Sequence, residues 1–416
     1  MSAPAPRVVV VGAGIAGAAA AIAATGSHAE VTVLDGGPGA STLATGALDE
    51  APWQPDDGPS KDLPAAARSV LDALRAYVVT DRAARLFTTA GICRPAQGRD
   101  AALLDAAPLA GRRVGVVRCA RPGWDAVGLA RAWGDACVPL DAVMLRHFDE
   151  RTIPDADFAA RHDDETRLGW LSERLREALA SAAAGDAIAG LVLPPSLGVD
   201  RARAEELTRR VGIPCGEALA TPAGPSGLRF ERARDRALSS AGVQRMRARG
   251  SRVERARAGP GWRVTLDDGS SLDADAVVLA TGGLLGGGIA YAPSETLLAA
   301  ALPHGSSVPL RASLDAPVQL GLRGRPLEVP GSLFGLAPEQ IAWPFSPDGL
   351  LARAGVLVSD GGRCTGAAPG LLAAGELVAD APHMWLRALI DGSSAGRIAA
   401  EATCAASPAR APSSRP

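Results

Sequence analysis

Lysine is almost missing from this chain. Among 43 basic residues in 416, Lys61 is the only lysine. It lies in the Pro-, Asp- and Ser-rich stretch 51–62, so a lysine nucleophile or Schiff base is excluded unless Lys61 itself serves. The six cysteines (Cys93, Cys119, Cys137, Cys215, Cys364 and Cys404) form no CxxC and no ferredoxin-type run, which argues against an iron–sulfur cluster held by this chain alone. Five scattered histidines make no HExxH or related pattern, so no metal site is expected. The net charge of −2 gives no footprint for nucleic acid or an anionic membrane surface. Apolar runs are interrupted as well. From Val8 to Ala29 there is no Asp, Glu, Lys or Arg, but glycines at turn spacing divide the run, and glycines also break the run around Ala276–Ala292. With no basic n-region beyond Arg7, the expectation is a cytoplasmic protein with reduced thiols, meeting a membrane only through a partner.

What is present begins at Arg7-Val-Val-Val-Val-Gly12-Ala-Gly14-Ile15-Ala16-Gly17. A β-branched run, a glycine turn and an alanine-rich segment read as strand, turn and helix. Gly12 permits the tight turn, Gly14 leaves room for a pyrophosphate, and Gly17 lets the helix pack close to the strand. The helix N-terminus, carrying Ile15 and Ala16, then faces the anion. Val31–Leu34 reads as a second strand ending at Asp35, whose carboxylate suits the two ribose hydroxyls of an adenosine and repels a 2′-phosphate, which disfavours NADP. This set points to an adenine dinucleotide, hence FAD.

Gly36–Asp49 is small, polar and glycine-rich, and reads as a loop along a ligand; Ser41, Thr42, Thr45 and Gly46 are its candidate contacts. A helix is expected near Ala65–Tyr77, strands at Arg113–Arg118 and Gly190–Leu193, and helices at about 125–134, 166–183 and 201–211. The chain then returns to Rossmann-type units. One strand ends at Ala280-Thr281-Gly282, and another at Gly375-Glu376. A helix is expected to begin near Gly392-Ser393-Ser394. The expected fold is α/β: a Rossmann-like FAD-binding domain, mostly parallel and discontinuous in sequence, with an inserted α/β second domain. Residues 1–80 and 236–404 would form the first, with a substrate-side segment at about 300–365; residues 81–235 form the second, and 405–416 a disordered tail.

This constellation resembles the two-domain flavoproteins of the fumarate reductase and glutathione reductase type. Four stretches sharpen the resemblance. Thr45-Gly46-Ala47-Leu48-Asp49, Leu193-Pro-Pro-Ser-Leu-Gly-Val199, Pro225-Ser-Gly-Leu-Arg229 and Val278-Leu-Ala-Thr-Gly-Gly-Leu-Leu-Gly-Gly-Gly288 resemble, in order and spacing, segments of the anaerobic glycerol-3-phosphate dehydrogenase family, in its accessory flavoprotein subunit. One stretch departs from it: Asp380–Gly392 is bulkier and more apolar than the family's glycine-rich, cysteine-containing segment.

The resemblance implies a flavoprotein subunit that works with a catalytic flavoprotein subunit and an iron–sulfur subunit. Together they oxidise sn-glycerol 3-phosphate to dihydroxyacetone phosphate and pass electrons to quinone. It also implies a peripheral place at the inner membrane through those partners, FMN as the alternative cofactor, and a helix N-terminus at Gly392-Ser393-Ser394 under the flavin ring. A stand-alone FAD-dependent oxidoreductase acting on another small organic substrate is the alternative, and a flavin-free scaffold a third reading. Alcohol oxidation needs a base and a phosphate clamp. The candidates are His304 and His383 for the base and Arg94 and Arg229 for the clamp; no catalytic residue is assigned.

Overall fold

The computed structural model describes residues 5–51, 63–182, 187–219, 222–257, 259–291, 310–322, 325–326 and 353–405. The chain divides into two compact units. The first comprises Met1–Ala40, Leu63–Val70 and Ala237–Pro416; the second comprises Ser41–Asp62 and Leu71–Arg236. The expected boundaries lay at 80/81 and 235/236, whereas the chain leaves the first unit at residue 40, and the return at 236/237 falls inside the helix Pro225–Ser240. Most of the expected substrate-side segment and the tail from 406 lie outside the described residues.

The first unit is built on a seven-stranded sheet. Five parallel strands run in the order Gln244–Met246, Glu30–Leu34, Arg7–Val11, Ala276–Leu279 and Leu371–Ala373. Two short antiparallel strands, Arg363–Cys364 and Val358–Ser359, close one edge. The valines of Arg7–Val11 lie at the centre, with Val8 beside Val31 and Ala276, and every one of them is buried. A strand covered on both faces reads as a continuous apolar run, as this one does.

One face is covered by the helix Ile15–Gly26 and the long helix Trp385–Ala405. The pair cross with almost nothing between them. A Cβ on Gly392 would stand 2.1 Å from the Ala16 carbonyl oxygen, and one on Gly396 2.0 Å from that of Ala20. Four-residue spacing on both helices places these contacts one turn apart. The small residues of Ile15–Gly26 therefore serve a close helix crossing, and Ala18, Ala19, Ala20 and Ala21 are fully buried. Trp262, Val264 and Leu266, from a three-stranded antiparallel sheet, share the core of the opposite side with Val9, Val277 and Leu371.

The second unit holds a four-stranded parallel sheet in the order Cys137–Leu140, Arg113–Val117, Ile188–Leu193 and Cys215–Glu217, connected by helices that include Ala126–Trp133, Glu165–Ala182 and Ala204–Val211. A three-stranded antiparallel sheet of Ala47–Leu48, Cys93–Asp100 and Tyr77–Phe87 completes it. The fold class is the expected α/β, with mostly parallel central sheets.

Candidate functional site

The first turn after Arg7–Val11 has the geometry that a phosphate cradle requires. Gly12 adopts φ +111°, a conformation that side chains disfavour, and its N–H donates to the Leu34 carbonyl (3.0 Å). A Cβ there would stand 2.3 Å from the Ala280 carbonyl oxygen, and one on Gly17 1.9 Å from that of Gly12. Gly14 is the N-cap, at an ordinary φ of −65°. Its contribution is the missing side chain, because no side chain caps the helix and its first turn holds no acidic residue. The positive end of the helix dipole is thus not neutralised by a first-turn carboxylate.

The other candidates of the first unit meet this turn. Ala280 donates from its N–H to the Val11 carbonyl (2.8 Å), which sets Ala280-Thr281-Gly282 beside Gly12. Ala374 does the same to Leu279 (2.9 Å), which sets Gly375-Glu376 next in line. A Cβ on Gly375 would lie 2.6 Å from that of Ala16 and 3.6 Å from that of Ala388, so the first turns of both covering helices converge on Gly375. Glu376 carries a buried Oε2 with no hydrogen-bond partner among the described residues. A cradle of glycines under two helix N-termini, with one orphaned acceptor beside it, fits the pyrophosphate and sugar chain of a dinucleotide flavin.

Asp35 ends the second strand as expected. Its N–H donates to the Met246 carbonyl (2.8 Å), and its Oδ1 accepts from the Gly37 N–H (3.1 Å). Two arginines flank it that sequence reading missed. Arg245 Nε lies 3.9 Å from Asp35 Oδ2, and Arg249 Nε donates to the Gly36 carbonyl (3.1 Å). Only the pairing of Gln244–Met246 with Glu30–Leu34 brings them there, across more than 200 residues.

The structure corrects the readings of Gly392–Ser394 and Arg229 and places the other candidates. Gly392, Ser393 and Ser394 do not begin a helix; they lie inside Trp385–Ala405, with Ser393 Oγ bonded back to the Ile390 carbonyl. Gly392 is there to let Ala16 approach, and the helix N-terminus belongs to Trp385–Ala388. Ser41, Thr42, Thr45 and Gly46 belong to the second unit. Gly46 packs on Ser226 and Asp100, and the Thr42 carbonyl presses on Gly227, so these glycines are required by packing. Arg94 pairs with the half-buried Asp49.

Arg229 is 2% exposed and engaged on all three nitrogens: Nε with Asp100 (2.7 Å), Nη1 with the Gly198 carbonyl (2.6 Å), and Nη2 with Glu217 (2.6 Å). It is a structural knot rather than a phosphate clamp. Burial works against its charge, but the Asp100 and Glu217 carboxylates outweigh it and hold its pKa above the ordinary value. Burial pushes the Glu217 carboxyl up, against the pull of Arg229. His383 is half-buried two residues before the C-terminal helix, whereas His304 lies outside the described residues.

Comparison with known proteins agrees with this geometry. The FAD binding domain family matches residues 7–96, and a FAD-NAD(P)-binding family matches 228–284. No curated protein matches the chain. Similar solved structures include a thioredoxin reductase from Gloeobacter violaceus (12% identity, 94% of this chain and 93% of that one, TM-score 0.30). The Diels-Alderase PyrE3 of pyrroindomycin biosynthesis (13% identity, 93% and 63%, TM-score 0.30) and the peptidyl tryptophan dihydroxylase QhpG (18% identity, 67% and 33%, TM-score 0.23) are others. The chain spans about a third of the length of QhpG and somewhat under two thirds of that of PyrE3. The cofactor of this chain is FAD. The two matched segments are similar to FAD-binding domains of the kind found in FAD-dependent oxidoreductases, and the glycine cradle lies in the first of them.

Proposed function

We propose that the chain is the accessory flavoprotein subunit of a glycerol-3-phosphate dehydrogenase. It passes electrons from the oxidation of sn-glycerol 3-phosphate, through a partner iron–sulfur subunit, to quinone. The observation that carries this reading lies in the second unit. Three of the four segments that resemble the anaerobic glycerol-3-phosphate dehydrogenase family meet in one buried cluster. Gly46 packs on Ser226 and Asp100, Arg229 binds Asp100 and the Gly198 carbonyl, and the amides of Ser196 and Leu197 both donate to Glu217. Segments far apart in sequence that interlock at a fully buried ion cluster are kept as a set, because removing one partner strands the charges of the others.

Bound FAD would supply a carrier for the electrons that the catalytic subunit draws from the alcohol. The chain supplies the rest. The amides that open Ile15–Gly26 hold the pyrophosphate, Asp35 holds the ribose, and Glu376 accepts a hydrogen bond from the cofactor. Were the chain to meet the alcohol itself, His383, beside the N-terminus of Trp385–Ala405, would be the candidate to take the hydroxyl proton. No helix among the described residues is long and apolar enough to cross a membrane, and membrane attachment is assigned to the partners.

One observation favours a second reading, a stand-alone FAD-dependent oxidoreductase of another small organic substrate. The bulky Asp380–Gly392 segment, where the chain departs from the family, provides the helical turn that touches Gly375. Anaerobic mixing of the FAD-loaded chain with glycerol 3-phosphate separates the two. Bleaching of the flavin only when the partner subunits are added supports the first reading. Bleaching of the isolated chain by a different small alcohol, amine or acid, with none by glycerol 3-phosphate under either condition, supports the second.

A further inference from the structure

The second unit carries a cleft of about 490 Å³ that the flavin chemistry does not use. It opens at the carboxyl ends of two neighbouring parallel strands, Arg113–Val117 and Cys137–Leu140. In the four-stranded sheet the chain starts at Arg113–Val117, adds Cys137–Leu140 on one side, then crosses to add Ile188–Leu193 on the other. The strand order reverses at Arg113–Val117, and the loop leaving that strand lines the cleft. Open parallel sheets bind their ligands at such carboxyl ends, because the outgoing loops there diverge.

The lining is chemically specific. Trp124, Val143, Met144 and Leu145 make an apolar wall, and Arg118 and Arg151 stand at its margin. Trp124 is fixed by its Nε1–H donating to the Val117 carbonyl (2.7 Å), so it presents a rigid ring. Arg118 is half-exposed and, among the described residues, pairs only with the solvent-facing Asp141 (2.9 Å), a pairing that a ligand anion can replace at little cost. Arg151 lies over the Phe148 ring (5.0 Å to its centre) and makes no ion pair with any described residue. Phe148 is 81% exposed and Val143 59%, which leaves apolar surface uncovered at the same margin. The one carboxylate in the lining, Asp125, is turned to its own helix, where it accepts from the Val127 N–H (3.1 Å).

We propose that this cleft is a second binding site, for a small molecule with an aromatic or branched apolar body and a single carboxylate or phosphate. The body lies on Trp124 and Val143, and the anion is held by Arg118 and Arg151. The site lies wholly within the second unit and does not rest on the dehydrogenase reading.

Calorimetric titration of the FAD-loaded full chain with benzoate, phenyl phosphate and orthophosphate tests it, the first two probes distinguishing a carboxylate from a phosphate ligand. Saturable binding of benzoate or phenyl phosphate, at least about tenfold tighter than orthophosphate, is expected from the added apolar contact. Arg151→Glu and Val143→Trp, both on exposed residues, should each weaken it by about tenfold or more while the flavin content stays at wild-type level. Absence of saturable binding, equal affinity for orthophosphate, or unchanged affinity in both variants overturns the proposal.

Discussion

Replacing Glu376 by leucine should move two measurements in opposite directions. Oε2 of Glu376 is shut away from solvent with no hydrogen-bond partner among the described residues. In the flavin-free chain it is therefore a liability, since a buried acceptor left unsatisfied destabilises by about 1–3 kcal/mol. Leucine has a similar reach and no acceptor, so the flavin-free E376L chain should be the more stable. For a unit of this size that gain raises the melting temperature by roughly 2–10 °C. FAD binding should move the other way. A hydrogen bond to a charged acceptor contributes about 1.5–3 kcal/mol, so its loss weakens the flavin Kd by about ten- to a hundredfold. The assay strips the flavin, records thermal unfolding of the flavin-free chain, then titrates FAD by fluorescence quenching. Glu376→Gln, which keeps an acceptor, should fall between wild type and E376L. A flavin-free E376L chain that melts lower, together with an unchanged FAD Kd, would refute the reasoning, because Glu376 would then hold up the fold and not the cofactor.

Gly12→Ala places a Cβ 2.3 Å from the Ala280 carbonyl oxygen at a φ of +111°. Backbone strain and overpacking of about 2–5 kcal/mol together should release most of the flavin, read as the flavin-to-protein ratio after purification. Asp35→Ala removes one sugar contact and should weaken FAD by about 1–3 kcal/mol in the same titration, since the backbone cradle is untouched. Arg229→Met strands Asp100 and Glu217 in the core of the second unit; a loss of about 3–5 kcal/mol is expected, lowering the melting temperature by roughly 10 °C. His162 is fully buried, and burial, then the Arg167 charge, lowers its pKa from 6.5 to about 4. Its Nε2 accepts from Arg167 Nε (3.4 Å) and its Nδ1 faces the Phe158 carbonyl (3.1 Å), a pattern that requires the neutral ring. The unfolded chain protonates this ring first, so stability is full above about pH 6.5 and falls by up to roughly 3 kcal/mol as pH drops to about 4. His162→Asn should flatten that part of the urea-denaturation pH profile.

Much of this protein was legible in one dimension because its rules are local. A buried strand followed by glycines and a small-residue helix is written within residues 7–26, and its phosphate geometry follows from backbone sterics alone. The strands Ala276–Leu279 and Leu371–Ala373 were equally plain, being apolar runs that soon reach glycine. Other features depended on which surfaces meet. Gly392 reads in sequence as a helix start, but the neighbour that explains it, Ala16, is contributed by the opposite end of the chain. The antiparallel pair Tyr77–Phe87 and Cys93–Asp100 went unread, because the charged centre of the first strand and a register shift between Val79 and Ala84 hide any alternation. Arg229 reads as a phosphate clamp until folding places it against Asp100 and Glu217.

By itself the sequence determined the cofactor and the cradle that holds it, since a glycine turn and a helix dipole act over a few neighbouring residues. Only the tertiary structure decided which polar residues are spent on one another and which remain for a ligand, because burial and charge pairing are properties of surfaces brought together from distant parts of the chain.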